Sequence, residues 1–270
     1  MLLFGYWPPT DIGIPSRRGM LWKWRELQSD YRGSGYDVIA CSPIFPASIG
    51  WQDRDRQTLH WGLGHGVLSV DYHHTSRTFW SLVLAHAPIA IMSFSRGRPG
   101  RSWEIEQYAR NLAQSDWATT LHYLDPGGVV RPESRAPPFA GGSPQDDSPL
   151  RGRGARPGAP PDPTQPAGAM RINNLPNDAI MAAVAAGIPG GRIVPECNPT
   201  GDVGAFVSEY IAYHVAWYRD WVNAAFPGDP GRRCLMAGHT HVGTKVEVAD
   251  GEVAVELQLE RLFAALPRPV

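Results

Sequence analysis

Cysteine is scarce. Cys41, Cys197 and Cys234 are the three in 270 residues, they form no C-x-x-C, and one is left over in any pairing, so a disulfide-built scaffold is excluded. Free thiols in a reducing cytoplasm are expected. Lysine is scarcer still, with Arg supplying nearly all the basic charge, and 25 basic against 26 acidic residues leave a formal charge of −1. No global field therefore recruits nucleic acid or an anionic membrane, and any partner is recognised locally. Long apolar runs are absent: Leu82–Ile91 and Ala179–Ile188 are broken by His, Pro or Gly and fall short of the roughly 20 residues of a membrane span. The opening MLLFGYWPP has no basic n-region and meets Pro8 before an apolar segment could form, so no signal peptide is expected.

Several motifs are missing as well. There is no G-x-S-x-G elbow, Walker loop, kinase signature or class A lactamase signature. Gly62-Leu-Gly-His-Gly66 lacks the third spaced glycine of a dinucleotide loop and reads as a turn. His60, His65, His73 and His74 have no metal-ligand spacing, so neither metal nor cofactor is expected.

What is present is a chain 43% hydrophobic and 10% aromatic, rich in Trp and able to bury one large core. Residues 131–169 hold 16 Pro or Gly in 39 positions and one aromatic, Phe139, which reads as a flexible surface insertion. Positions 1–130 and 170–270 then form a single α/β domain of about 230 residues.

Strands are expected at Met1–Trp7, Asp37–Ser42, Ala87–Phe94, Gly191–Val194 and Cys234–Ala237, the last leading into GHTHVG. Helices are expected at Ser69–Ala85, Pro176–Ala186, Asp202–Ala225 and Glu252–Ala265. Trp103–Ala113 also reads as a helix, because Ile105, Tyr108, Ala109 and Leu112 share one stripe. The alternation of strand and helix implies layered α/β architecture. Its sites belong at strand ends and helix N-termini, which directs attention to Ser93–Asn111, Asn198–Tyr213 and Ala237–Gly243.

SFSRGRPGRSWEIEQYARN (93–111) resembles the stretch of pyroglutamyl peptidases (pyrrolidone carboxypeptidases) in which a glycine-arginine turn leads to the catalytic glutamate, an alanine and an asparagine. Glu106 and Asn111 fall at matching places. GDVGAFVSEYIAYH (201–214) resembles that family's alanine-glycine, aromatic, cysteine, asparagine segment, and GHTHVG (238–243) resembles its phenylalanine-isoleucine-histidine-valine-proline end. The resemblance implies a three-layer sandwich on a mixed, mostly parallel sheet, with Glu106, Ser208 and His241 as the catalytic set. Ser208 stands where the family has its nucleophilic cysteine, and Glu209 replaces the neighbouring asparagine. A hydroxyl is harder to ionise than a thiol, and Glu209 adds negative charge near a developing anion.

A site keeping carboxylate and histidine without the thiol is equipped for proton transfer. The Trp- and Arg-rich opening FGYWPPTDIG…GMLWKW is similar to the bacterial Pictet–Spengler enzymes of β-carboline alkaloid pathways, of the marinacarboline and streptonigrin type. That second resemblance implies a cyclase joining tryptophan to an aldehyde, Glu106 removing the ring proton and Glu104 competing for the role. His241 would assist dehydration, Arg77 or Arg98 would hold a substrate carboxylate, and Trp7, Trp103 and Phe206 would line the pocket, Trp22 and Trp24 being further stacking candidates. The expected partners are an amino acid and an aldehyde, with a homodimer as the assembly. A serine version of the peptidase and a non-catalytic member of the fold are the alternatives.

Overall fold

The computed structural model describes residues 1–5, 10, 13–14, 17–43, 64–65, 72–116, 120–121, 154–155, 160–201 and 204–268. In chain order the main elements are β1 (Leu2–Gly5), β2 (Ile39–Pro43), α1 (Tyr72–His86), β3 (Ala90–Arg96), β4 (Ser102–Glu106), β5 (Tyr108–Arg110), β6 (Met170–Ile172), α2 (Asn177–Gly187), β7 (Val194–Asn198), α3 (Val207–Ala225), β8 (Met236–Val242) and α4 (Val248–Ala265). The central sheet runs β7-β4-β8-β3-β1-β2, with the two-residue strand Gly64–His65 beyond β2. Strands β8, β3, β1 and β2 are mutually parallel. Strand β4 is antiparallel to β8 and parallel to β7, so the sheet is mixed. Strands β5 and β6 form a separate antiparallel pair.

Both faces of the sheet are covered, which is why β1 is buried throughout. Leu3, Met92, Phe94, Trp103 and Ile105 pack with Ile180 and Val184 of α2 and Val255 and Leu259 of α4. Leu2, Phe4 and Ile91 point the other way, into Phe79, Trp80 and Val83 of α1 and Tyr210, Tyr213 and Trp217 of α3. Helix, sheet, helix make three layers. Among the described residues no helix is long and apolar enough to cross a membrane.

Residues 103–113 correct the helix expected there. The stretch satisfies two periods at once, since Trp103 and Ile105 also alternate with Ser102, Glu104 and Glu106 at strand spacing. Neighbours on both sides decide the matter: β8 and β7 pair with β4, burying Trp103 and Ile105 on one face. Two other boundaries move for backbone reasons. Gly190 and Gly191, at φ +77° and +64°, delay β7 to Val194. Gly201 and Gly204, at φ +68° and +88°, precede the start of α3 at Val207.

Within 131–169, residues 154–155 pair with 120–121. Asn111 Nδ2 donates to the carbonyls of Asp162, Gln165 and Pro166 at 2.8, 3.1 and 3.2 Å, and Asp162 N donates back to Asn111 Oδ1 at 2.9 Å. The carboxylate of Asp162 is buried and pairs with Arg171 at 2.7 Å. The end of the Pro/Gly-rich stretch is thereby held to the domain.

Candidate active site

Strand alternation gathers polar groups on the α3 face of the sheet. Strand β3 contributes Ser93 and Ser95, β8 contributes His239 and His241, β4 contributes Glu104 and Glu106, and β7 contributes Glu196. Their strand neighbours Phe94, Trp103, Ile105 and Val242 face the opposite core. In the β4/β8 ladder His241 lies directly opposite Glu104, and Glu106 is its diagonal neighbour.

The diagonal pair makes the closest contact. His241 Nδ1 is 2.8 Å from Glu106 Oε1, with Glu106 buried and His241 7% exposed. Burial pushes His241 down to about 4, against an opposing pull from Glu104, so its imidazole is neutral at pH 7. A carboxylate at Nδ1 selects the tautomer with hydrogen on that nitrogen and leaves the lone pair on Nε2. The backbone around Glu106 is pinned: Asn173 Nδ2 donates to its carbonyl at 3.0 Å, and Gln107 N donates to Asn198 O at 3.0 Å.

His239 stands behind this pair. Its Nδ1 is 2.7 Å from Ser93 Oγ and its Nε2 is 2.9 Å from Ser95 Oγ, so both nitrogens are engaged. Burial, and then the neighbouring His241, hold it well below the usual histidine range. Two glycines allow close packing around the strands. Gly97 crosses His241, where an added Cβ would lie 3.1 Å from the His241 Cβ, and Gly97 N donates to Val242 O at 2.7 Å. At Gly243 an added Cβ would lie 2.6 Å from both Gly100 O and Ser102 N, at the start of β4.

Ser208 is half-buried in the first turn of α3, the helix that packs across β8 and β3. The preceding Phe206 is the extended N-cap and is exposed. Glu209 is fully buried and accepts a hydrogen bond from the backbone N–H of Arg110. Its side chain is thus held toward β5.

Of the other expected pocket residues that are described, Trp103 and Trp24 lie away from this face, whereas Arg98 lies beside it, close enough to interact with Glu104 and Glu106. Trp103 is buried on the opposite face of the sheet, where its Nε1 donates to Gln258 Oε1 at 3.1 Å, because odd positions of β4 face α4. Arg98 is exposed and paired with Glu196. Trp24 is buried in the α2/α4 core. Arg77 belongs to α1, with a side chain outside the described residues, and Trp7 lies outside them altogether. His239 and its serines were not expected as site residues, yet G-H-T-H-V at strand period places both histidines on one face.

No family model matches the chain, and no curated protein matches it. Solved structures do. A mutant pyrrolidone carboxyl peptidase from the hyperthermophile Pyrococcus furiosus superimposes with a TM-score of 0.55 at 14% identity, over 98% of this chain and 99% of that one. The chain has the pyrrolidone carboxyl peptidase fold. Pyroglutamyl peptidase I from Bacillus amyloliquefaciens gives a TM-score of 0.53 at 13% identity, over 99% of this chain and 95% of that one. At such identities the shared property with these peptidases is architecture, and the chemistry rests on this chain's own residues.

Proposed function

We propose that this chain is an acyl-transfer hydrolase in which His241 is the base, Glu106 orients it and Ser208 is the nucleophile. The carrying observation is the 2.8 Å contact between His241 Nδ1 and Glu106 Oε1. It supports Glu106 as the partner of a base, which is the arrangement of serine and thiol acyl-transfer sites. His241 Nε2 takes the proton of Ser208 Oγ as that oxygen attacks the substrate carbonyl. The positive end of the α3 dipole stabilises the resulting oxyanion. Collapse breaks the C–N bond as His241 returns the proton to the leaving amine, and water releases the acyl group by the same route. The first substrate is an N-terminal pyroglutamyl amide, the class that the fold's peptidases are named for. The test is release of a fluorescent amine from that amide by wild type, Ser208→Ala and His241→Asn. Turnover lost in both variants supports the reading, and equal turnover in Ser208→Ala overturns it.

A second reading is the tryptophan–aldehyde cyclase. Glu104 beside Glu106 on one face of β4 favours it, because two carboxylates suit a cationic iminium. Mass spectrometry of L-tryptophan with reactive aldehydes, beside Glu106→Gln and an enzyme-free control, decides it. A carboline that requires both enzyme and Glu106 establishes the cyclase.

A further inference from the structure

We propose that Glu104, Glu106 and His241 form a binding site for one divalent cation of the zinc class. Each of the three side chains offers a donor atom, and the donor atoms all lie within 4.8 Å of one another. Among the described residues no other three His, Cys, Asp or Glu side chains are grouped in this way. Bonds of about 2.0–2.2 Å in a tetrahedral shell put ligand atoms about 3.3–3.6 Å apart. The Glu106–His241 pair, at 2.8 Å, needs a small opening, and the Glu104 donor already lies within 4.8 Å of both.

The donor set is mixed, with one imidazole nitrogen and two carboxylates, which suits zinc, cobalt or manganese better than calcium. It is also built on strands: Glu104 and Glu106 are two apart on β4, and His241 is opposite Glu104 on β8. Three protein ligands leave a coordination position for water or substrate. Glu104 is half-buried and makes no hydrogen bond or ion pair among the described residues, and the nearby guanidinium of Arg98 is held by Glu196. His239 cannot take the place of His241 without releasing Ser93 or Ser95.

A cation bound through Nδ1 replaces the proton shared with Glu106. The metal-bound site and the hydrogen-bonded dyad are therefore alternative states, and loading with metal suppresses His241 as a base. Binding itself holds whether or not Ser208 is acylated, so it is read without substrate.

The experiment strips wild type, Glu104→Gln and His241→Asn with a chelator and titrates each with Zn²⁺ by calorimetry and with Co²⁺ by visible absorption. Wild type is expected to take one ion per chain, and loss of either ligand to weaken binding by at least about 100-fold, beyond the effect of an outer-shell partner. Circular dichroism in chelator checks that each variant is folded, and the two substitutions on different strands keep the test open if one is not. Binding of equal strength in both folded variants, or no uptake by wild type at millimolar metal, overturns the proposal. Pyroglutamyl amide turnover is measured separately, so failure of the hydrolase reading is distinct from failure of the metal site.

Discussion

The imidazoles of His239 and His241 stand at right angles with ring centroids 4.9 Å apart, yet they are held by different chemistry. His241 meets a carboxylate, whereas His239 is held between two hydroxyls. Ser93→Ala leaves one buried nitrogen of His239 without its partner and is expected to cost about 1–3 kcal/mol in denaturant unfolding. Adding Ser95→Ala and His239→Leu removes the polar cluster as a whole and is expected to recover part of that loss. A triple variant less stable than Ser93→Ala would contradict this account.

Acid is expected to destabilise the fold through its buried histidines. Burial holds His214 at about 3 and His241 at about 4, and keeps His239 well below the usual range. The unfolded chain takes up these protons near the ordinary pKa of about 6.5, while the folded chain refuses them. Stability is therefore full above about pH 6.5 and falls as pH drops toward 4, by up to about 1.4 kcal/mol per pH unit for each histidine. Urea midpoints at pH 7, 6 and 5 measure the slope. His214→Gln, which keeps an acceptor for the Trp80 Nε1 donor, is expected to flatten it by one histidine's share.

Turnover follows the same titration. With His241 neutral down to about pH 4, the acid limb of kcat/KM for the proposed hydrolysis is expected near 4, well below that of an unperturbed histidine. Ser208→Ala is expected to lower kcat by at least about 10³-fold. Ser208→Cys is expected to keep activity and to become sensitive to iodoacetamide, since a thiol at a helix N-terminus ionises readily. A Ser208→Cys protein that resists alkylation would remove Ser208 from the site.

The clamp on residues 160–166 is open to a direct test. Asp162→Ala removes the carboxylate that faces Arg171 and leaves that guanidinium with Asp220. The expected cost is about 3 kcal/mol, at the low end for breaking a buried pair because one partner remains. Proteolytic cleavage should concentrate at 160–168 in the variant. An unchanged cleavage map would show that the Asn111 hydrogen bonds suffice.

Gly243→Ala probes how closely β4 must approach the end of β8. An added Cβ at 2.6 Å from Gly100 O and Ser102 N meets backbone that cannot rotate away. A loss of about 1–3 kcal/mol is expected, together with reduced turnover, because β4 carries Glu106. Normal activity with normal stability would mean that the 97–102 turn yields freely.

The sequence carried the layered architecture because it depends on local pattern. Apolar runs marked β1, β2 and β3, and the resemblance of the stretches around Glu106 and His241 to a peptidase family pointed to the fold. It did not carry the secondary structure of 103–113, where helical and strand periods coincide and β7 and β8, about 90 and 130 residues downstream, choose between them. Trp103 was misplaced for the same reason, since a helix would have left it beside Glu106's face. The Glu106–His241 contact was similarly hidden: a register between strands is a tertiary property, and the directly opposed residue is Glu104. The glycines at 190–191, 201 and 204 were readable as breakers, but their left-handed φ values fix boundaries that apolar periodicity overran.

The residues with acid–base character sit on β3, β4 and β8, and Phe206 and Arg98 sit in the turns around them. Heredity can therefore act on the two separately. Turns can be recombined or lengthened to admit new substrates while the reactive groups stay in register, whereas a register slip of one position within β4 would turn both glutamates into the hydrocarbon layer and place an indole among the histidines. A combinatorial library should accordingly diversify 98–101 and 204–206 and leave Gly97, 102–106 and 236–242 untouched.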